Sequence, residues 1–249
     1  MSVWAVLAAA GSGERLGRVS ADLFSAGAAG QSPAARPDLG DRPKAFAPLR
    51  GRPLVAESLE RLDASGWVDS IVVVAPPGWE EPVILLAEEL GCGTVAAVVA
   101  GGATRAESVR LGVAEVGEDA AVVMVHDAAR PLVTDEVIER LLGALGEGWD
   151  GAVPGLPVVD TVKRVEGGAV VETLARASLV AVQTPQAFVA GVFRSAVAGD
   201  TNATDCASLV EAAGGRVTVV PGDPRLLKVT TPEDLALVES WLEESEAPA

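Results

Sequence analysis

Two runs of consecutive apolar residues, 71–75 and 121–125, constrain the fold of this chain more than any other feature. An unbroken apolar run suits a strand that is covered on both faces, as strands are in a parallel sheet. Similar short runs recur along the chain and alternate with helical patterns, which is typical of α/β folds. The predicted strands are Val3–Ala9, Ser70–Ala75, Thr94–Val99, Ala121–His126, Gly151–Pro154, Val180–Gln183 and Arg216–Pro221. The predicted helices lie near 53–64, 80–90, 105–116, 134–146, 205–213 and 232–246.

Length and charge narrow the class of protein further. A chain of 249 residues predicts one or two domains, and we expect a single domain over residues 1–249. The 19 basic residues are outnumbered by 35 acidic ones, so the formal net charge is −16. Broad binding to nucleic acid or to an anionic membrane needs a basic face, so we expect neither partner. One histidine and two distant cysteines, Cys92 and Cys206, argue against a zinc site.

The apolar start of the chain has two interpretations. Residues 3–10 resemble the apolar region of a signal peptide, but no basic residue precedes them and a glycine-rich turn follows. We therefore prefer a buried first strand in a cytoplasmic protein. No apolar run approaches the roughly 18 residues that a membrane-spanning helix needs.

Two stretches interrupt the alternation of strands and helices. Residues 17–42 are rich in Ala, Gly, Ser and Pro, and a loop of this length predicts an atypical insertion or a lid. Residues 155–178 contain two short strands joined by a Glu-Gly-Gly turn, which predicts a projecting β-hairpin arm. Because an isolated hairpin is only marginally stable, we expect the arm to pack against a second subunit.

The first chemistry-bearing segment follows the first predicted strand and runs from Ala8 to Arg15. Small residues there let the backbone approach a ligand, and consecutive N–H groups can bind phosphate oxygens. A plain tight turn and a dinucleotide-binding turn are the alternatives. The dinucleotide interpretation needs a second strand that ends in an acidic residue, whereas the next strand ends in Ala75-Pro76-Pro77.

Two further segments offer groups for a phosphate compound. Pro43-Lys44 fixes the backbone around a lysine, although a solvated surface lysine is the simpler interpretation. The glycine turn at Gly101-Gly102 opens a helix in which Ser108 falls in the first turn. Ser108 can contact a nucleotide there or act only as a helix cap.

Charged residues also follow the predicted strand that ends at His126. Asp127 sits where ligands bind in open α/β sheets, and its carboxylate suits Mg²⁺ together with substrate phosphates. Arg130 can pair with a second phosphate, and we expect His126 to be structural. Lys228 precedes the last helix, and we place it at the end of the last strand, on the same ligand-binding edge.

These segments, in this order, resemble the 2-C-methyl-D-erythritol 4-phosphate cytidylyltransferase family of the non-mevalonate isoprenoid pathway. The segments that carry the resemblance are 8–15, Pro43-Lys44, Gly101–Ser108, His126–Pro131, Asp160-Thr161 with Lys163-Arg164, Thr184-Pro185-Gln186, and Lys228-Val229-Thr230 with 232–235. The resemblance implies a Rossmann-like nucleotidyltransferase fold, an α/β fold with a mostly parallel twisted sheet. It also implies a homodimer formed through the arm.

The resemblance assigns a role to each group of residues. It implies that Arg15 and Lys44 stabilise the transition state and that Asp127 lies beside a Mg²⁺ (or another divalent cation) and the triphosphate of CTP. It implies nucleotide binding by Ala9, Ala10, Gly11, Gly13, Gly101 and Ser108. It implies binding of the methylerythritol phosphate by Arg130, Thr161, Arg176, Thr184 and Lys228, with Thr161 and Arg176 reaching across the dimer.

Three other functions are compatible with part of this pattern. The nearest is a cytidylyltransferase that acts on a pentitol phosphate such as ribitol 5-phosphate, although the Ala128-Ala129 pair resembles the methylerythritol branch. The second is a nucleotide-binding protein made inactive by the insertion, against which the presence of both Arg15 and Lys44 speaks. The third and most distant is a NAD-dependent oxidoreductase.

Overall fold

The computed structural model describes residues 1–11, 43–199 and 205–246. The strands are β1 Val3–Ala8, β2 Pro48–Leu49, β3 Arg52–Pro53, β4 Ser70–Ala75, β5 Val95–Ala100, β6 Val122–Asp127, β7 Gly151–Pro157, β8 Lys163–Glu166, β9 Ala169–Thr173, β10 Val180–Val182, β11 Gln186–Val189 and β12 Val217–Pro221. The helices are α1 Leu54–Asp63, α2 Glu80–Leu90, α3 Arg105–Ala114, α4 Asp135–Gly146, α5 Ala190–Val197, α6 Cys206–Ala212 and α7 Pro232–Glu246.

Eight strands form one central sheet that is mostly parallel, as the sequence predicts. β1 lies between β4 and β6 and is parallel to both, and β5 extends the sheet beyond β4. β11 runs antiparallel to β6 and connects it to β7, which also pairs with β10 and with the parallel strand β12. The parallel strands of one half therefore end together at one edge of the sheet.

Helices cover both faces of this sheet, which explains the unbroken apolar runs. Alternate residues of β1 point to opposite faces, so Ala5 and Leu7 join one core cluster while Val6 joins another. The first cluster is formed with α1, α2 and α4, and the second with α3, α5 and α6. The first strand is buried, as predicted for the apolar start of the chain. No helix in the described part of the chain is long and apolar enough to cross a membrane.

The predicted hairpin arm is confirmed as an antiparallel pair formed by β8 and β9, separate from the central sheet. Gly167 and Gly168 form its turn with φ of 55° and 82°, a backbone conformation that glycine adopts without steric cost. Every residue of both strands is exposed to solvent. Val165 and Val170 are cross-strand partners, so the arm carries apolar surface on one face.

Several elements of the structure differ from the strands and helices predicted from the sequence. The predicted strand over Val180–Gln183 ends at Val182, and the structure adds β11 and α5, which were not predicted. The helix α5 has no side-chain cap at Val189, so its start carries no recognisable signal. Lys228 is not at the end of a strand, because β12 ends at Pro221 and an irregular segment follows. The predicted insertion or lid over 17–42 falls outside the described residues.

Candidate active site

A cavity of about 470 Å³ opens where the parallel strands end. Ala8 at the end of β1 pairs with Asp127 at the end of β6, so the turns that follow both strands meet there. The residues that line the cavity are Ala8, Ala9, Ala10, Gly11, Lys44, Ala45, Pro77, Gly102, Ala103, Thr104, Arg105, Ser108, Asp127, Ala128, Ala129 and Lys228. Ligands bind at this edge in open α/β sheets, so the cavity is the candidate active site.

The glycine-rich turn after β1 forms one wall of the cavity. Ala9, Ala10 and Gly11 all line it, as the resemblance implies. The amide of Ala9 still donates to the carbonyl of Val74 at 2.9 Å, so the turn begins from a fixed backbone position. Gly13 and Arg15 lie outside the described residues.

The turn before α3 packs directly against that wall. A Cβ atom on Gly101 would lie 2.2 Å from the Cβ of Ala10, so only glycine fits there. Thr104 caps α3 by accepting a hydrogen bond from the amide of Glu107 at 3.1 Å. This close contact brings the two predicted nucleotide-binding turns together.

The hydroxyl of Ser108 forms hydrogen bonds with the backbone of the turn that precedes α3. It accepts from the amide of Gly102 at 3.1 Å and donates to the carbonyl of Thr104 at 2.8 Å. Ser108 also lines the cavity, although its side chain is buried. Its local role is therefore to hold the Gly101–Thr104 backbone in shape beside the cavity.

Lys44 reaches the cavity from a short 3₁₀ turn that the core holds in place. The turn spans Lys44–Phe46 and follows Pro43, whose carbonyl accepts from the amide of Phe46 at 2.8 Å. Ala45 is buried, and the ring of Phe46 packs on Trp79 with a centroid distance of 4.4 Å. The lysine is thus attached to a rigid backbone, as the flanking proline predicts.

Asp127 lies between two cations. Its Oδ1 accepts from Nε and Nη2 of Arg105 at 3.1 and 3.0 Å, and its Oδ2 accepts from Nζ of Lys228 at 2.6 Å. Burial alone would raise the pKa of Asp127, but the charges of Arg105 and Lys228 outweigh it and hold the pKa well below its usual range. Asp127 is therefore an anion that joins α3 to the segment before α7.

Arg105 belongs to the site although no motif in the sequence indicated it. It is the first residue of α3, where the helix dipole disfavours a cation. A basic residue at that position, on the ligand-binding edge, needs a carboxylate or a bound anion nearby. A basic residue at the start of this predicted helix was therefore the sequence signal that could have indicated Arg105 as a site residue.

His126, Arg130 and Thr184 form a network beneath the cavity. The His126 ring contacts the Arg130 carbonyl at 2.9 Å through Nε2 and the Thr184 hydroxyl at 3.3 Å through Nδ1. The Thr184 hydroxyl also accepts from the amide of Asp127 at 3.0 Å. Burial lowers the pKa of His126 to about 4, so the ring is neutral at pH 7. These contacts agree with a structural role for His126.

Arg130 and Thr184 were expected to bind substrate, but their side chains form hydrogen bonds to other groups of the protein. Nη1 of Arg130 donates to the carbonyl of Leu226 at 2.6 Å, and the amide of Val229 donates to the carbonyl of Ala129 at 2.8 Å. These bonds fasten the irregular segment around Lys228 to the turn after β6. Neither Arg130 nor Thr184 is among the residues that line the cavity.

Thr161 and Arg176, the other two expected substrate-binding residues, lie at the base of the arm. Both are exposed, and Nη1 of Arg176 donates to the carbonyl of Val159. Neither lines the cavity formed by the described residues of a single chain. The structure of one chain therefore does not bring them to the candidate site.

The fit of a divalent cation depends on Asp127. Its Oδ1 is saturated by two N–H groups of Arg105, which leaves Oδ2, shared with Lys228, as the available oxygen. The described residues contain no group of three or more His, Cys, Asp or Glu side chains placed to hold a metal. The site fits Mg²⁺ only as a single carboxylate contact to an ion that is held mainly by phosphate oxygens.

Comparisons with known proteins agree with the fold and the motifs. The family model described as 2-C-methyl-D-erythritol 4-phosphate cytidylyltransferase matches residues 3–244. A relative with that name from Nocardia farcinica is 44% identical over 243 residues, which is 97% of this chain and 94% of the relative. Another with the same name from Saccharopolyspora erythraea is 43% identical over 248 residues, 97% of this chain and 100% of the relative.

Solved structures give the same result. A crystal structure of a 4-diphosphocytidyl-2C-methyl-D-erythritol synthase superposes with a TM-score of 0.74 at 30% identity and covers 97% of this chain and 98% of that one. The 2-C-methyl-D-erythritol 4-phosphate cytidylyltransferase of Thermus thermophilus gives 0.68 at 35% identity and covers 80% of this chain and 94% of that one. The predicted family is confirmed: this chain belongs to the 2-C-methyl-D-erythritol 4-phosphate cytidylyltransferase family of nucleotidyltransferases.

Proposed function

We propose that this enzyme transfers the cytidylyl group of CTP to 2-C-methyl-D-erythritol 4-phosphate, releasing pyrophosphate and forming 4-diphosphocytidyl-2-C-methyl-D-erythritol. The family and the names of the relatives support this reaction. The observation that carries it is the cavity itself. In a chain with a net charge of −16, Lys44, Arg105 and Lys228 gather around one opening lined by a glycine-rich turn. Such a cavity suits a polyanionic nucleotide.

The proposed chemistry needs positioning and charge neutralisation rather than a general base. A phosphate oxygen of the acceptor attacks the α-phosphorus of CTP, the bond to the β-phosphate breaks, and pyrophosphate leaves with the electron pair. The acceptor phosphate already carries about −1.5 to −2 charges at pH 7, so no side chain has to remove a proton from it. This agrees with His126 being neutral and engaged beneath the cavity.

The barrier is the repulsion between two anions, so cations are the groups that matter. We propose that Lys44, together with Arg15, stabilises the charge that develops on the triphosphate. The turns that contain Ala9, Ala10, Gly11 and Gly101, with Gly13 and Ser108, bind the rest of the nucleotide. The rigid attachment of Lys44 supports this role, because a preorganised donor loses little entropy in the transition state.

On the acceptor side, we assign the phosphate of the methylerythritol to Lys228. Arg130 and Thr184 support it by fastening the backbone near Lys228 and Asp127. Thr161 and Arg176 reach the acceptor only from the arm of a second subunit. Dimerisation through the exposed arm is therefore part of the proposal, as is a cytoplasmic location.

We also propose Mg²⁺ or another divalent cation as cofactor. When bound, the ion neutralises charge on the triphosphate and orients its oxygens. Asp127 is the residue that would contact it, through Oδ2. Because Asp127 supplies one carboxylate oxygen beside two cations, we expect the ion to arrive with the nucleotide rather than to reside in the free protein.

The test is release of pyrophosphate by the purified enzyme with CTP and Mg²⁺. We expect rapid release with 2-C-methyl-D-erythritol 4-phosphate and very little with ribitol 5-phosphate or without an acceptor. Faster turnover with ribitol 5-phosphate would assign the enzyme to the pentitol branch. Binding of CTP without turnover of either acceptor would mean that the protein is a catalytically silent nucleotide binder.

A further inference from the structure

We propose that Arg105 is a positioning residue that orients the carboxylate of Asp127 and, through it, holds Lys228 at the acceptor side of the cavity. This inference rests on the proposed function, because it assigns Lys228 to the acceptor phosphate. It concerns three residues from three separate elements: α3, the end of β6, and the irregular segment before α7.

The guanidinium of Arg105 is fixed by all three of its nitrogens. Nε and Nη2 donate to Oδ1 of Asp127, and Nη1 donates to Sγ of Cys206 at 3.4 Å. Burial raises the pKa of Cys206 to about 11, so its thiol is neutral and its sulfur acts as an acceptor. The plane of the guanidinium is therefore set from two sides, by β6 and by the start of α6.

That fixed guanidinium determines the orientation of Asp127. Two N–H groups converge on Oδ1, and Oδ2 accepts from Lys228 at 2.6 Å, so the carboxylate is held at both oxygens. The side chain of Asp127 is 10% exposed, whereas those of Arg105 and Lys228 are 31% and 40% exposed. Because the shared anion is nearly buried, these ion pairs are screened less by water than surface pairs are.

The geometry specifically requires an arginine. A lysine at position 105 would supply one point charge and could not make the two contacts to Oδ1 and the third to Cys206. Without Arg105, the contact between Oδ2 of Asp127 and Lys228 is the cation contact that remains among the described residues, and the carboxylate can rotate. Lys228, which the carboxylate holds, would then lose its fixed position in the cavity.

The kinetic test compares Arg105→Gln with Arg110→Gln. Arg110 lies on the same helix, is exposed and is not among the residues that line the cavity, so its replacement removes the same charge. We expect Arg105→Gln to raise KM for 2-C-methyl-D-erythritol 4-phosphate about tenfold or more. At saturating Mg²⁺, an ion that the phosphate oxygens mainly hold, the KM for CTP and kcat should change less than about threefold, as for a positioning effect on the acceptor. Arg105→Lys should fall between Arg105→Gln and the wild type.

A double variant tests whether the effect passes through Asp127. If it does, Arg105→Gln combined with Asp127→Asn should have nearly the same kcat/KM for the acceptor as Asp127→Asn alone. Additive losses would overturn the proposal, because Arg105 would then act independently of Asp127. A larger rise in KM for CTP than for the acceptor would also overturn it, since Arg105 would be a nucleotide contact.

A measurement without turnover separates this inference from the proposed function. The chain has three lysines, Lys44, Lys163 and Lys228, so acylation by acetic anhydride can be followed at each by mass spectrometry. Measured at equal protein and reagent concentrations, Lys228 should be acylated at least about threefold faster in Arg105→Gln than in the wild type, since its nitrogen is no longer held against Asp127. Arg110→Gln should match the wild type, and Asp127→Asn sets the upper limit.

The outcomes are distinct. Unchanged or slower acylation of Lys228 in both Arg105→Gln and Arg105→Lys would overturn the inference even if the enzyme turns over as proposed. Faster acylation in an enzyme that does not use 2-C-methyl-D-erythritol 4-phosphate would support the positioning role of Arg105 and overturn the proposed acceptor.

Discussion

Gly101 packs against Ala10 so closely that a Cβ atom on Gly101 would lie 2.2 Å from the Cβ of Ala10. This contact joins the turn after β1 to the turn before α3. Both turns face the cavity, so their separation determines the width of the proposed nucleotide site. The contact also predicts how the protein responds when the glycine is replaced.

Gly101→Ala should push the two turns apart and weaken CTP binding about tenfold, while the free energy of unfolding falls by about 1–3 kcal/mol. Calorimetric titration with CTP and urea unfolding would measure both effects. Gly143→Ala is the matched control, because a Cβ there meets nothing within 4 Å and the residue lies inside α4. It should leave CTP binding unchanged and stabilise the fold by up to about 1 kcal/mol. Wild-type CTP affinity in Gly101→Ala would contradict the assigned role.

Lys44→Ala should lower kcat by roughly 10²–10³, the scale of losing one preorganised donor at a developing charge. Steady-state pyrophosphate release with saturating substrates would measure the change, and circular dichroism would check the fold. The exposed residue Arg110, outside the cavity lining, provides a control of equal charge loss in Arg110→Ala. Unchanged turnover in a folded Lys44→Ala variant would remove Lys44 from the mechanism.

The buried His126 predicts a loss of stability in mild acid. Its pKa is lowered by burial from 6.5 to about 4, so the unfolded chain binds the proton more readily than the folded one. The stabilising contribution is complete above pH 6.5 and is lost as the pH falls toward 4, by about 2 kcal/mol between pH 7.5 and pH 5.

Urea unfolding at several pH values would measure this loss in the wild type and in His126→Gln. The chain contains one histidine, so the difference between the two curves isolates this residue. The variant should be less stable at pH 7.5 but should lose less stability on acidification. Parallel curves for the two proteins would show that His126 does not titrate in this way.

The proposed dimer makes a prediction about the arm. Val170 is 61% exposed and pairs with Val165, so their shared apolar face is available to a partner chain. Val170→Asp should weaken the dimer roughly 100-fold in sedimentation experiments, because a charge would be buried without a partner. Leu85→Asp, at an exposed apolar residue of α2, makes the same chemical change away from the arm. Equal effects of the two substitutions would contradict dimerisation through the arm.

The sequence predicted most of the fold because its strongest signals are local. Consecutive apolar residues in β4 and β6 indicated burial on both faces, and Gly167-Gly168 indicated the turn of the arm. β11 was missed because it has only four residues and directly precedes α5, so no turn residue separates the two elements. The alternating pattern of a strand needs a longer segment to be recognised.

The candidate site was predicted less completely, because its key contacts are not local. The sequence predicted Asp127 and Lys228 at one edge of the sheet, and the family resemblance added Lys44 to the site. All three line the cavity, although Lys228 reaches it from an irregular segment and not from a strand end. The partnership of Arg105 with Asp127 depends on how α3 lies against β6, which no spacing within either segment reveals. The hydrogen bond from the amide of Asp127 to the hydroxyl of Thr184 likewise joins distant parts of the chain.

The cavity is lined by residues that range in the sequence from Ala8 to Lys228. A polypeptide emerging from the ribosome therefore has no complete pocket until nearly all of this domain has been synthesised. A ligand that needs the complete pocket, as the proposed acceptor does through Lys228, therefore binds only the finished fold and favours it over the unfolded chain. Truncation within the segment that follows β12 removes Lys228 from the cavity and should thus abolish turnover of the acceptor, even though most of the sheet and the proposed nucleotide-binding turns would still be present.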